Sequence, residues 1–239
     1  MPSIALLLPW LFGPLSPSNE VRIRDLAGPT SFRLLDWETV NLGQRAERLA
    51  SGLFGDRAPT SEDGTTLRGY FGTPVAARAT LRPAAEAALE RVIGEAYGAA
   101  GLTRSMPLQL PSDQLFPPLL VALTSPPNVL VIAPRTELRV IQSSVMQAMD
   151  TPAQERLEAS ADSTGVSSLI APIGGLATYP SMVLDEDSAE RVLSAVAHEW
   201  LHQYLIFYPL GKGYFESQQT REINETTADL VGREIGLRV

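Results

Sequence analysis

Five residues near the C-terminal end, His198-Glu-Trp-Leu-His202, constrain this chain more than any other stretch. The surrounding apolar spacing predicts a helix over 188–207, with Asp187 and Glu190 at capping-box spacing. Residues four apart on a helix share one face, so both imidazoles can reach a single ion. The chain holds only two histidines. Two placed at random would fall four apart, with glutamate directly after the first, about once in 1,700 trials, so chance is a poor account. Neutral imidazole suits Zn²⁺ at about 2.0–2.1 Å, and a catalytic zinc keeps one position open for water. Glu199, next to the first histidine, is placed to take that water's proton and pass it to a leaving amine. Trp200 and Leu201 are expected to face the core.

A catalytic zinc takes three protein ligands. An extended HExxHxxGxxH motif would need glycine and histidine where the chain has Leu205 and Tyr208. With no further histidine and no cysteine, the third ligand has to be a carboxylate. The best candidate lies in Asn224-Glu-Thr-Thr-Ala-Asp229, on a helix expected over 219–235, with Glu222 and the loop residue Glu216 as alternatives. Glu225 and Asp229 are four apart and share a face. A ligating histidine usually donates its other N–H to a carboxylate, which fixes its tautomer.

HExxH followed by NExxAD resembles the gluzincins, the thermolysin-like group of zinc peptidases. The resemblance covers about 60 residues, from Gly174-Gly175 to the end. It implies an α+β, zincin-like fold: a small mixed sheet with an edge strand over the active-site helix, a C-terminal ligand helix and a helical N-terminal part. It also implies hydrolysis of a peptide or protein substrate by zinc-bound water activated by Glu199. Glu225 becomes the third ligand beside His198 and His202, and Asp229 the carboxylate that orients a ligand histidine. Such sites add a histidine or tyrosine that steadies the oxyanion. No histidine remains, so Tyr214 and Tyr179 are the candidates, whereas Tyr204 and Tyr208 read as packing residues. The extended piece Leu176 to Val183 takes the part of the cleft rim that pairs with substrate, with Ala177 and Tyr179 as first contacts. A fainter similarity to small bacterial membrane-associated gluzincins takes in Gly174 to Ser181. The alternative is a zinc-binding module without catalysis, which would keep both histidines and Glu225 but have no need of Glu199.

A net charge of −8 and the lack of an Arg/Lys cluster exclude nucleic acid as a main partner. Residues Ile4 to Leu15 are apolar, but Pro9 and Pro14 interrupt them, and they fall short of the ~20 residues a spanning helix needs. They read as a buried arm or as the remnant of a membrane anchor, which favours a membrane-associated or exported location over a cytoplasmic one. Further helices are expected over 31–54, 83–100 and 151–162. Met106 to Pro118 reads as a connector. Strands are expected at Leu119–Leu123, Val129–Ile132, Leu138–Ile141 and Leu169–Ile173. The expected divisions are an apolar segment at 1–15, a mainly helical part at 16–105 and a catalytic part at 106–239.

Overall fold

Helix punctuation in the sequence lands on helices. Asp150 adopts extended backbone and accepts a bond from Ala153 N at the start of Thr151–Asp162. Pro83 stands in the first turn of Arg82–Ala99, and Gly101, with φ +78°, follows its end. The computed structural model describes residues 28–54, 58–103, 115–137, 139–186 and 188–239. The apolar stretch Ile4–Leu15, most of the connector expected at 106–118, Leu138 and Asp187 lie outside these residues.

The described residues form an α+β structure with eight α-helices and two three-stranded sheets. The helices are α1 (Leu34–Gln44), α2 (Ala46–Phe54), α3 (Asp63–Phe71), α4 (Arg82–Ala99), α5 (Thr151–Asp162), α6 (Ala189–Leu205), α7 (Pro209–Lys212) and α8 (Gln218–Arg238). The strands are β1 (Val121–Thr124), β2 (Asn128–Pro134), β3 (Gln142–Met146), β4 (Val166–Pro172), β5 (Gly175–Leu176) and β6 (Ser181–Leu184). None of these helices is long and apolar enough to cross a membrane.

Two compact units interleave along the chain. One draws on residues up to Asp36 and on Pro126–Ile173, the other on Trp37–Ser125 and Gly174–Val239. This differs from the expected division at 105/106, because the helices of the first half share a unit with the last helices.

In the first unit β2 pairs antiparallel with β3 and β4. Leu130, Ile132, Met146, Ala161, Val166 and Ile170 make its core. The third strand falls later than the apolar run Leu138–Ile141. It is the polar stretch Gln142–Met146, placed by its register against β2, and Val140 is exposed. The outer edge of β4 is closed from α5: Glu158 Oε1 accepts Ile170 N at 2.6 Å and Asp162 Oδ1 accepts Ser168 N at 2.8 Å.

In the second unit β6 lies between β1, parallel, and β5, antiparallel. The strand directly before α6 is therefore the middle one, not the edge strand expected there. The expected extended piece at 176–183 divides in two around a cis Tyr179–Pro180 bond, and the edge falls to the two residues of β5. The outer edge of β1 is closed by α4, whose Glu90 and Glu86 accept Val121 N at 3.0 Å and Leu123 N at 2.9 Å. The helix expected over 31–54 breaks at Arg45, whose guanidinium reaches Val121 O and Glu86.

α6 is held at a fixed rotation. Trp200 is fully buried, with its indole N–H donating to Pro117 O at 2.9 Å. Tyr97 lies against it, ring centroids 4.4 Å apart, and donates its hydroxyl to Ala197 O. Val192, Val196 and Leu201 join the same core. The helix starts at Ser188, whose side chain accepts from Arg191 N; the cap is thus one residue later than the Asp187–Glu190 spacing suggests.

Candidate metal centre

Turning Trp200 and Ala197 inward turns His198 and His202 toward α8. The two helices approach closely because α8 presents Asn224, Ala228, Gly232 and Gly236 to α6, one residue per turn. A Cβ at Gly232 would stand 3.0 Å from the Cβ of His198 and 2.8 Å from Ser194 O. One at Gly236 would stand 2.6 Å from Ser194 Oγ. Only glycine permits this spacing, and the spacing carries Glu225 to the histidines.

His198 Nε2 and His202 Nε2 are 2.9 Å apart, and Glu225 Oε2 is 3.5 Å from each. Among the described residues these three form the one group whose ligand atoms converge tightly enough for a metal ion. Ligand atoms around a tetrahedral ion at ~2.0–2.1 Å stand about 3.3 Å from one another, which is the scale of this triangle. The alternatives are not brought in. Glu222 is exposed and accepts from Gln218 Nε2, and Glu216 is exposed beside Gly213.

The far side of each imidazole fixes its chemistry. His198 Nδ1 lies 2.9 Å from Asp229 Oδ1, and His202 Nδ1 lies 2.8 Å from Asn224 Oδ1. Asn224 is buried, and its Nδ2 donates to Leu210 O at 3.2 Å, which leaves Oδ1 for the histidine. Both partners only accept, so both Nδ1 atoms carry protons. Each neutral ring then aims an Nε2 lone pair at the other and at a carboxylate oxygen. Three converging electron pairs repel unless a cation lies among them, and the arrangement fits a metal ion with two imidazoles and one carboxylate.

The charges agree. Burial alone would raise the Glu225 carboxyl, but His198, His202 and the Tyr214 hydroxyl outweigh it and hold it well below the usual carboxylate range. Burial disfavours a charged His198, yet Glu225, Glu199 and Asp229 raise it. Glu199 is nearly buried, and burial pushes it up to about 7 against the pull of His202 and His198. The surplus of acids attracts positive charge.

Glu199 is also confined. Gly175 of β5 lies against its side chain, so that a Cβ there would stand 2.8 Å from Glu199 Cγ and Cδ. A bare backbone at 175 is what gives the carboxyl its room.

The two candidate tyrosines part company. The Tyr214 hydroxyl donates to Glu225 Oε1 at 2.5 Å, and its ring stands edge-on to His202 at 6.0 Å. Burial, then the Glu225 carboxylate, raise that hydroxyl far above its ordinary value. Tyr179 instead donates its hydroxyl to Pro118 O at 2.9 Å, and its N–H goes to the buried Glu38. Tyr204 and Tyr208 bond one another through their hydroxyls, and Tyr204 stacks on Trp200.

Sequence reasoning missed Asn224, Gly175 and Gly232. For Asn224 a signal was available: asparagine is a poor helix former, yet it stands inside a helix one residue before Glu225. The two glycines gave no such signal, since their neighbours come from distant parts of the chain. In comparisons with known proteins no family model matches this chain, and no curated protein or solved structure does so, leaving the side-chain geometry to carry the functional reading.

Proposed function

We propose that this chain is a zinc-dependent metallopeptidase of the gluzincin type, with a zincin-like catalytic part. The observation that carries the reading is the pair of Nε2 lone pairs, fixed by Asp229 and Asn224, that converge with Glu225 Oε2. His198, His202 and Glu225 hold the ion. Zinc in such a site polarises a carbonyl and lowers the pKa of water to about 7. Glu199, with its own value near 7, accepts the proton of the attacking water and delivers it to the leaving amine. Asp229 and Asn224 keep the imidazoles in the tautomer that presents Nε2, and Tyr214 fixes the second oxygen of Glu225.

The substrate lies extended beside β5. Three of the four sheet edges are occupied: β1 and β4 by helix carboxylates, β3 by residues 30–32, which bond Gln147 N and Val145 O. Among the described residues no carboxylate closes β5, and the face of that strand lies against Glu199 at Gly175. An added peptide strand there would place its carbonyl next to the base.

Elemental analysis of the purified chain tests the metal, paired with His202→Ala. About one zinc per chain in the parent and almost none in the variant is the expected result. Glu199→Gln then separates binding from chemistry: zinc stays, and hydrolysis of a peptide library falls by about 10²–10⁴-fold. A parent that takes up no zinc after reconstitution overturns the proposal.

A further inference from the structure

The side of α8 that meets the histidines carries one more charged residue. Arg221 lies one turn before Glu225 and two before Asp229, so the three project from one side of the helix. Glu225 and Asp229 are engaged by imidazoles. Among the described residues, Arg221 has no carboxylate within ion-pair distance, and its Nε is buried without a hydrogen-bond partner. The guanidinium instead lies over the ring of Tyr214, Cζ 5.6 Å from the centroid, and that tyrosine's hydroxyl holds Glu225. Its charge is felt there, since it opposes the upward shift of the Tyr214 hydroxyl.

Among the described residues the other buried and part-buried arginines are paired. Arg45 and Arg48 reach Glu86, Arg78 and Arg82 reach Asp185, and Arg91 reaches Asp63. A partly desolvated guanidinium without an anion is costly unless something arrives to pair with it. Its planar fork matches a carboxylate with two parallel N–H bonds, and an aromatic face beneath it keeps that fork oriented. The net charge of −8 repels anions in general, so an unpaired cation beside this centre selects them locally.

We propose that Arg221 receives a carboxylate of the substrate, and so makes a nearby free carboxylate a requirement for tight binding. The inference rests on the peptidase reading above. The carboxylate has two sources, the C-terminus of a short peptide or an Asp/Glu side chain within a longer one.

Binding tests this without turnover. The zinc-loaded full chain carrying Glu199→Gln is titrated against N-terminally fluorescein-labelled peptides of equal length, read by fluorescence anisotropy. One peptide has a free C-terminus, one has an internal glutamate with an amidated end, and one has glutamine and an amidated end. We expect at least one carboxylate peptide to bind about ten- to a hundredfold more tightly than the uncharged one. The peptide that does so names the source. Adding Arg221→Met should bring that peptide to the level of the uncharged one, with zinc content unchanged. Equal binding of all three by the Glu199→Gln chain overturns the role of Arg221 and needs no second variant to be read. Survival of the preference in Arg221→Met overturns it as well. Failure of every peptide to bind, with zinc present, overturns the peptidase reading and the inference with it.

Discussion

Strands β1 and β4 belong to different units, yet both edges are closed in the same way. In each case two acids one helical turn apart, Glu86 and Glu90 or Glu158 and Asp162, accept alternate strand N–H groups in reverse order. The match is dimensional: four helix residues rise about 6 Å, and two strand residues span about 6.7 Å. The bracing differs. Glu86 and Glu90 are buried, and Arg45 and Arg48 neutralise Glu86 and also reach Val121 O. Glu158 and Asp162 are partly exposed, and no arginine pairs with their carboxylates among the described residues. A carboxylate removed from water needs a cation, whereas one at the surface has solvent. At β5 no such pair of acids is found among the described residues, and the Glu199 side chain lies against the face of that strand at Gly175.

The strongest way to break this comparison is Glu86→Ala. It leaves Leu123 N without its acceptor, takes away the one carboxylate that Arg45 pairs with among the described residues and leaves Arg48 only the longer contact to Glu90, and should cost about 3–5 kcal/mol, measured by urea unfolding. A loss below 1 kcal/mol would mean that the arginines are not braced by this acid. Gly175→Ala probes the uncapped edge. Its methyl would press on Glu199, and a displacement of about 1 Å should lower kcat about 10²-fold while zinc content holds. Glu158→Ala, the exposed counterpart of Glu86→Ala, should cost only about 1 kcal/mol, with faster hydrogen exchange at Ile170 N.

The smallest effect concerns Glu38, which bonds Tyr179 N and has no arginine partner among the described residues. Burial raises its carboxyl above the ordinary value of 4.5, against the pull of that N–H. The folded state then holds this proton more tightly than the unfolded chain does. Stability therefore declines as pH climbs from 4.5 through the folded value, and stays lower above it. Glu38→Gln keeps an acceptor and removes the titration, so unfolding at pH 7 should show a gain of less than about 1 kcal/mol. Equal pH dependence in both proteins would contradict the burial argument.

Local chemistry was legible in the sequence, and long-range chemistry was not. The spacing of His198 and His202, and of Glu225 and Asp229, is helical arithmetic within each helix; the structure brings the four side chains together through the close approach of α6 and α8 at Gly232 and Gly236. Trp200 faces the core by the same arithmetic. By contrast, Tyr179 and Tyr214 are equivalent on paper. Their hydroxyls part because Pro118 is 61 residues from one while Glu225 is 11 from the other. Edge and middle strands cannot be told apart without knowing what pairs with them, which is why the piece expected at an edge over 176–183 supplies most of the middle strand β6. The polar β3 offered no apolar alternation to read.

Asn224 is a switch that has been wired shut. An amide has two faces of nearly the same shape and opposite polarity. Rotated by half a turn, it would offer Nδ2 to His202 Nδ1, move that ring's proton to Nε2 and turn a lone pair into an N–H bond. The Leu210 carbonyl forbids the rotation, because only one face can donate to it. A main-chain oxygen in the one-turn helix α7 thus decides the protonation of a nitrogen on the far side of a histidine.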